Sequence, residues 1–409
     1  MQRKAVDTWA ARLLMTCFFM PMLMQVITLL AIALYFLVAS IVDKYKAPLN
    51  DYRWALALGS CFCLFLFWFP VTPDNYKDQF FLLLQHRLSY LLMPFFFAVI
   101  SPASKALIRA QLNWFVYGCI TICVLANAMY VGHYYLAPGA AQPLFHVEYR
   151  MYLEHITEIH PTYLSMFICF AICILLLAKQ EPGRRVWPKY AALYLLFIFL
   201  FCLLAKAAII ALCIILLHYA YLNRHRLARY KLQLVGGIAA LAAAMYIIPF
   251  SRQRLGEVFQ FAGVANKGGD ISDNSMYVRK LVWNTDMQML HRYWLGGVGP
   301  GLLKRMLDAH YFFFSVSHSW AVGYYNTHNE YLNEWLSFGL AGIVLLVVAL
   351  AIHLVSAVRR MDYLYLYLLI ILCVTFFTET VLARQYGVVF YAVLTSLFFF
   401  SREGEQELV

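Results

Sequence analysis

Long apolar runs recur along this chain from one end to the other, and they constrain its fold more than any other feature. They lie at about 54–70, 80–100, 112–136, 161–178, 232–249, 336–357, 362–378 and 386–400. A helix rises 1.5 Å per residue, so about 20 such residues cross a ~30 Å hydrocarbon core. The chain is 63% hydrophobic and 13% charged, against roughly 25% charged in soluble proteins, which excludes a water-soluble globule. Ten-residue segments of alternating polarity are absent, so an outer-membrane barrel is not expected either. The fold class is an all-α polytopic membrane protein.

Two runs need flanking charge to be parsed. Residues 189–222 are too long for one span, and both flanks are basic: Arg184, Arg185 and Lys189 before, Arg224, Arg226, Arg229 and Lys231 after. Basic flanks belong on the cytoplasmic side. The run therefore reads as two spans with a turn near Ala205–Lys206–Ala207 at the far surface. Residues 8–42 follow the same logic, with Pro21 as the breaker. Twelve spans result, with both termini cytoplasmic and two sizeable external loops at 137–160 and 250–335. The chain divides into transmembrane helices at 1–249, a large external loop subdomain at 250–335, and the last three spans with a cytoplasmic tail at 336–409.

Other classes fall away on simple grounds. The net charge of +11 is the expected excess of Lys and Arg in cytoplasmic loops, so nucleic acid is not expected as a partner. All ten cysteines lie inside apolar runs and read as small buried hydrophobes, not as disulfides or metal ligands. The first apolar run continues too far for a cleavable signal peptide. "GGVGPG" (296–301) lacks the Lys-Ser/Thr of a phosphate-binding P-loop, so no ATP is expected. His310, His318 and His328 match no zinc spacing, and no metal is expected.

A few polar residues stand at apolar boundaries, where they cost free energy unless they do something. Lys206 sits at the tip of the 189–222 run, either snorkelling to water or aimed at an anion. In "SDNSMYVRKLVWNTDMQMLHRYW" (272–294), helical spacing puts Met276, Arg279, Trp283, Met287 and Leu290 on one face. A guanidinium in an apolar stripe wants an anionic partner: Asp286 or another carboxylate, or a bound diphosphate. Thr327-x-x-Glu330 has the form of a capping box, which makes Thr327 the N-cap and His328 the first helical residue. There a histidine stays neutral and able to accept a proton, beside N–H groups free for an anion. Arg87, inside a span, needs a cavity or a partner. Arg384 shares a short external turn with Glu379, its simplest partner, and Arg150 and His160 lie in the first external loop.

Three stretches carry a family resemblance: Lys206 between two close spans, "YVRKLVWNTDMQMLHRYWLGGVGPG" (277–301), and "HNEYLNEWLSFGLAGI" (328–343). Together with "TETVLARQYG" (378–387) they resemble the O-antigen ligase (WaaL) family and the related O-antigen polymerase (Wzy) proteins. The family commonly carries arginine at the position of Lys206; here the charge is kept and the bidentate fork is not.

The resemblance implies a GT-C-like, inverting, metal-independent glycosyltransferase without cofactor. It would move O-antigen glycan from undecaprenyl diphosphate to the lipid A-core at the periplasmic face of the bacterial inner membrane, in lipopolysaccharide biosynthesis. It also implies His328 as general base, Arg279 and Lys206 as diphosphate clamp, and Arg384, Arg150 and Arg87 as further substrate contacts. Asn329, Glu330 and Thr327 would support the helix start. Polymerase or protein O-oligosaccharyltransferase chemistry shares these features and differs in acceptor. A lipid-linked sugar transporter would show internal repeats, which the chain lacks.

Overall fold

The computed structural model describes residues 2–133, 147–179, 185–203, 205–227, 275–318 and 326–401. Among these residues all regular structure is helical. The principal helices are α1 (Gln2–Thr16), α2 (Met22–Val42), α3 (Leu49–Trp68), α4 (Lys77–Val99), α5 (Pro102–Ala110), α6 (Leu112–Val131), α7 (Val147–Thr157) and α8 (Pro161–Leu177). They continue as α9 (Trp187–Leu203), α10 (Lys206–Leu222), α11 (Ser275–Tyr293), α12 (Pro300–His318), α13 (Glu330–Arg359), α14 (Tyr363–Phe376) and α15 (Gln385–Phe400). The span expected at 232–249 lies outside the described residues.

Both long runs break where the flanking charge requires. Pro21 caps α2 after a short 3₁₀ turn at Cys17–Phe19, and the 189–222 run divides between Leu203 and Lys206. The stretch between the expected spans at 80–100 and 112–136 is itself helical. Ser101 accepts the Ser104 N–H and Pro102 fills the first helical position, which starts α5.

Among the described residues, four helical stretches are long and apolar enough to cross a membrane: Met22–Val42, Asp74–Val99, Pro102–Val131 and Glu330–Arg359. Tyr149–Thr157 and Pro161–Leu177, bent by 80°, make a fifth if counted as one span, and α9, α10, α14 and α15 are shorter apolar helices. The chain is thus a multi-pass membrane protein. α1 is not among the stretches long and apolar enough to cross. It carries Arg3, Lys4, Asp7 and Arg12 and packs on α5 and α6, with the Arg12 guanidinium between the Trp9 and Trp114 rings.

The core is built around α8 and α15. From Pro161 to Ile174 nearly every residue of α8 is buried, and so is α15 from Tyr386 onward. Phe18, Phe115, Phe167 and Phe390 meet there at centroid distances of 4.9–6.3 Å, mostly in the edge-on geometries that the ring quadrupole favours. Cys17, Cys61, Cys119, Cys123, Cys169 and Cys173 are buried as expected, whereas Cys213 is exposed on α10.

α13 is not one straight helix. Gly339 has φ 66° and ψ −157° in its interior, and a Cβ on Gly342 would overlap the carbonyl oxygen of Glu334. Residues eight apart in a straight helix are about 12 Å apart along the axis, so the chain folds back sharply at Gly339. The break would orphan backbone groups inside a membrane protein, where each must find a partner. The turn between α11 and α12 supplies them. Val298 N–H donates to Leu336 O at 2.7 Å, Gly299 N–H to Ser337 O at 3.0 Å, and Leu340 N–H to Leu295 O at 3.1 Å. This explains the "GGVGPG" sequence: a Cβ on Gly297 would sit 2.5 Å from Gly339 N. The lipid-facing stripe of exposed apolar residues, Leu340, Val344, Val347, Val348, Leu354, Val355 and Val358, begins directly after the break.

Candidate functional site

Two short segments meet at the N-terminal end of α8. One is 326–330, leading into α13; the other is 377–384, joining α14 to α15. They are laced together by side chains. Asn326 Nδ2 donates to Thr380 Oγ1 at 2.9 Å, Asn329 Nδ2 to Phe377 O at 3.3 Å, and Leu382 N to Glu330 Oε2 at 2.6 Å. α8 contributes Tyr163, whose hydroxyl donates to Thr380 O at 3.3 Å.

His328 lies between these ties. Its Nδ1 is 3.6 Å from Glu379 Oε1, and its side chain is 26% exposed against 6% for the glutamate. One edge of the imidazole is thereby turned to a carboxylate. The backbone is strained to achieve this: His328 has φ +44°, a left-handed conformation that costs a non-glycine residue about 1–2 kcal/mol. Its neighbours hold it there. His328 N–H donates to Asn326 Oδ1 at 3.2 Å, and Thr327 Oγ1 donates to Asn329 O at 2.9 Å. Strain held by surroundings points toward function.

The helix start differs from the expected one. Asn329, not Thr327, is the N-cap, its side chain accepting from Leu332 N, and the first helical residue is Glu330. The expected capping box does not form because the Glu330 carboxylate has stronger partners than the Thr327 backbone. It holds the Leu382 N–H and lies 3.4 Å from Arg87 Nη2. Thr327 is fully buried, and its carbonyl accepts from Trp283 Nε1 at 3.1 Å, which ties α11 to the His328 segment.

Glu379 is the electrostatic hub. Burial alone would raise its carboxyl, but His328, His160 and Arg279 outweigh that and hold it down at about 2. Arg279 on α11 thus faces the same carboxylate as His328. Burial lowers the guanidinium's affinity for its proton, and Glu379 opposes that. The expected stripe on α11 is rotated, with Val282, Asp286, Met289 and Leu290 buried while Met287 is half exposed. Asp286 does not take Arg279; Tyr311 OH donates to its Oδ1 at 2.9 Å. Buried there, Asp286 is pushed up to about 8 despite that bond.

On the other side stands His160, which caps α8 by accepting from Thr162 N and precedes Pro161 at the first helical position. Burial pushes its imidazole down to about 4, against the pull of Glu379 and helped by Arg384, Arg150 and His328. Arg384 does not pair with Glu379 as its position in the turn suggested. It is half exposed, with Nη1 3.6 Å from Glu154 on α7. Arg150 lies on that same helix.

Contacts along α10 set the depth of Lys206, its first residue. Cys169 Sγ donates to Ala208 O at 3.2 Å, and His218 Nδ1 meets Tyr367 OH at 3.2 Å. Cys169 is about two turns along α8 from Tyr163, so Lys206 opens α10 within two turns of the Glu379 level.

Residues 191–347 match a family model described as O-Antigen ligase. Over that stretch the chain is similar to the O-antigen ligase family. The matched region contains Lys206, Arg279 and His328. No curated protein matches the chain. Glu379 and Thr380 beside the His328 segment, and Glu154 beside His160 and Arg384, were not singled out as site residues from sequence. The local signal for Glu379 and Thr380 is a polar "TET" (378–380) closing an apolar run.

Proposed function

We propose that this protein is an O-antigen ligase that transfers glycan from undecaprenyl diphosphate to the lipid A-core at the periplasmic face of the inner membrane. The observation that carries the reading is the shared carboxylate: His328, in the segment before α13, lies 3.6 Å from Glu379, and Arg279 on α11 is electrostatically coupled to the same group.

The chemistry asks for two things. The acceptor hydroxyl must lose its proton as its oxygen attacks the anomeric carbon. The bond from that carbon to the diphosphate oxygen must then break, with the electron pair leaving on the diphosphate. His328, with Nδ1 turned toward Glu379, offers Nε2 as the base. Glu379 fixes the ring and balances the imidazolium that forms, as a carboxylate does behind other histidine bases. Arg279 and Lys206 stabilise the departing diphosphate, and Arg384 and Arg150 line the opposite side as contacts to substrate phosphates.

The test is reconstitution of purified protein with lipid-linked glycan and lipid A-core, omitting ATP and divalent metal. Glycan-extended lipid A-core is the expected product. Extension of the lipid-linked glycan itself, or glycosylation of an added protein acceptor, would replace this reading with polymerase or protein glycosylation chemistry. His328→Ala should abolish transfer; full turnover by that variant would remove His328 as the base.

A further inference from the structure

Arg87, a substrate contact by the family resemblance, has a different place in the structure. It is 7% exposed on α4, among groups that leave an anionic ligand little room. Its Nε donates to Leu382 O at 3.0 Å, Nη1 pairs with Glu334, and Nη2 is 3.4 Å from Glu330 Oε1. Glu330 closes the loop by accepting Leu382 N–H at 2.6 Å. Both backbone polar groups of Leu382 are therefore gripped by one ion-paired assembly. Each of the three Arg87 nitrogens already faces a protein acceptor, which leaves little for a diphosphate.

We infer that Arg87 and Glu330 are positioning residues that lock the 377–384 turn onto the start of α13 and so set the distance between Glu379 and His328. The inference rests on the proposed role of those two residues. The connection is short in sequence on both sides: Leu382 follows Glu379 by three residues, and Glu330 follows His328 by two. Any slip of Leu382 against Glu330 is transmitted to the pair. Phe65, 5.5 Å from the Arg87 guanidinium carbon, covers the assembly from α3, so the clamp also ties the α3–α4 pair to the site. Neither clamp residue touches the reacting atoms, and each acts through the geometry of His328 and Glu379.

Two measurements on the full-length protein test this. The first needs no substrate: hydrogen exchange of wild type, Arg87→Lys and Glu330→Gln, read by mass spectrometry. Arg87→Lys keeps the cation but loses the fork; Glu330→Gln keeps an acceptor for Leu382 N–H but loses the charge. Exchange should quicken in peptides covering 326–333 and 377–384 and stay unchanged in α8 and α15. Unchanged exchange in the two segments, or faster exchange throughout, would overturn the clamp.

The second is a kinetic cycle. Arg87→Lys should lower kcat by roughly 10- to 100-fold, the scale of a sub-ångström to 1 Å misplacement, with KM within about twofold. In a Glu379→Gln background the same change should cost little more, because the partner it positions is already gone. Raised KM with unchanged kcat, or full additivity with Glu379→Gln, would return Arg87 to substrate binding or to plain stability. Wild-type protein without transfer activity would defeat the proposed function, while the exchange experiment would still decide the clamp.

Discussion

His328 Nδ1 and Glu379 Oε1 approach to 3.6 Å across a gap of 51 residues in the chain. At that distance a carboxylate attracts an imidazolium strongly, and a small closure makes a full hydrogen bond. The pair resembles a base and its orienter, in which the buried member stays ionised while the exposed member faces substrate.

Glu379→Gln should therefore keep the fold and lose rate. The amide preserves shape but cannot balance a charged ring, so kcat should fall by roughly 10²- to 10⁴-fold, the range seen when the orienting acid of a histidine base is neutralised. His328→Ala should be at least as severe. Steady-state transfer with both variants checks the order. A Glu379→Gln enzyme that works normally would leave the 3.6 Å approach without catalytic meaning.

Arg279 is predicted to act on the donor. Arg279→Lys keeps the charge and loses the planar fork, so it should bind lipid-linked diphosphate more weakly and turn over more slowly than wild type. Arg279→Ala should fall further, by about 10²- to 10³-fold in kcat/KM, as when one preorganised donor to a developing anion is removed. Inhibition by inorganic diphosphate, measured for wild type and both variants, separates the effects. Identical inhibition constants would mean that Arg279 serves only Glu379.

Much of this site was legible in the sequence, and the rest was hidden for a common reason. Lys206, Arg279 and His328 stood out because each is polar at an apolar boundary, a local anomaly that spacing reveals. The partners did not stand out because partnership is decided across long sequence separations. Glu330 had the local form of a capping box with Thr327, yet Leu382 N–H and Arg87 compete for it and win. Arg384 sits five residues from Glu379, yet pairs with Glu154 on α7. Hydropathy likewise registers the apolar run of α13, but not that the chain reverses at Gly339.

The reversal gives a stability prediction. Gly339 occupies a left-handed φ, and a Cβ there would overlap Leu295 O and press on the backbone carbon of Gly296. Gly339→Ala should thus cost at least about 1–3 kcal/mol from backbone strain alone, with loss of the Leu340–Leu295 hydrogen bond in addition. Thermal unfolding in detergent should show a midpoint lowered by several degrees. The control is Gly296→Ala, whose Cβ would meet nothing within 4 Å and which should unfold near wild type.

Asp286 supplies the pH dependence. Its carboxyl is raised to about 8 in the folded chain by burial between α11 and α12, against an ordinary aspartate value near 4. The folded state therefore holds a proton that the unfolded state has released between about pH 4 and pH 8. Stability from this residue is full below pH 4, declines as pH rises through that window, and levels off above about 8. Asp286→Asn carries no titrating group and should flatten that slope while leaving the Tyr311 hydroxyl an acceptor. Unfolding midpoints at pH 5, 7 and 9 for the two proteins make the comparison. Parallel pH profiles would show that Asp286 is ionised throughout, with another charge compensating it inside the α11–α12 interface.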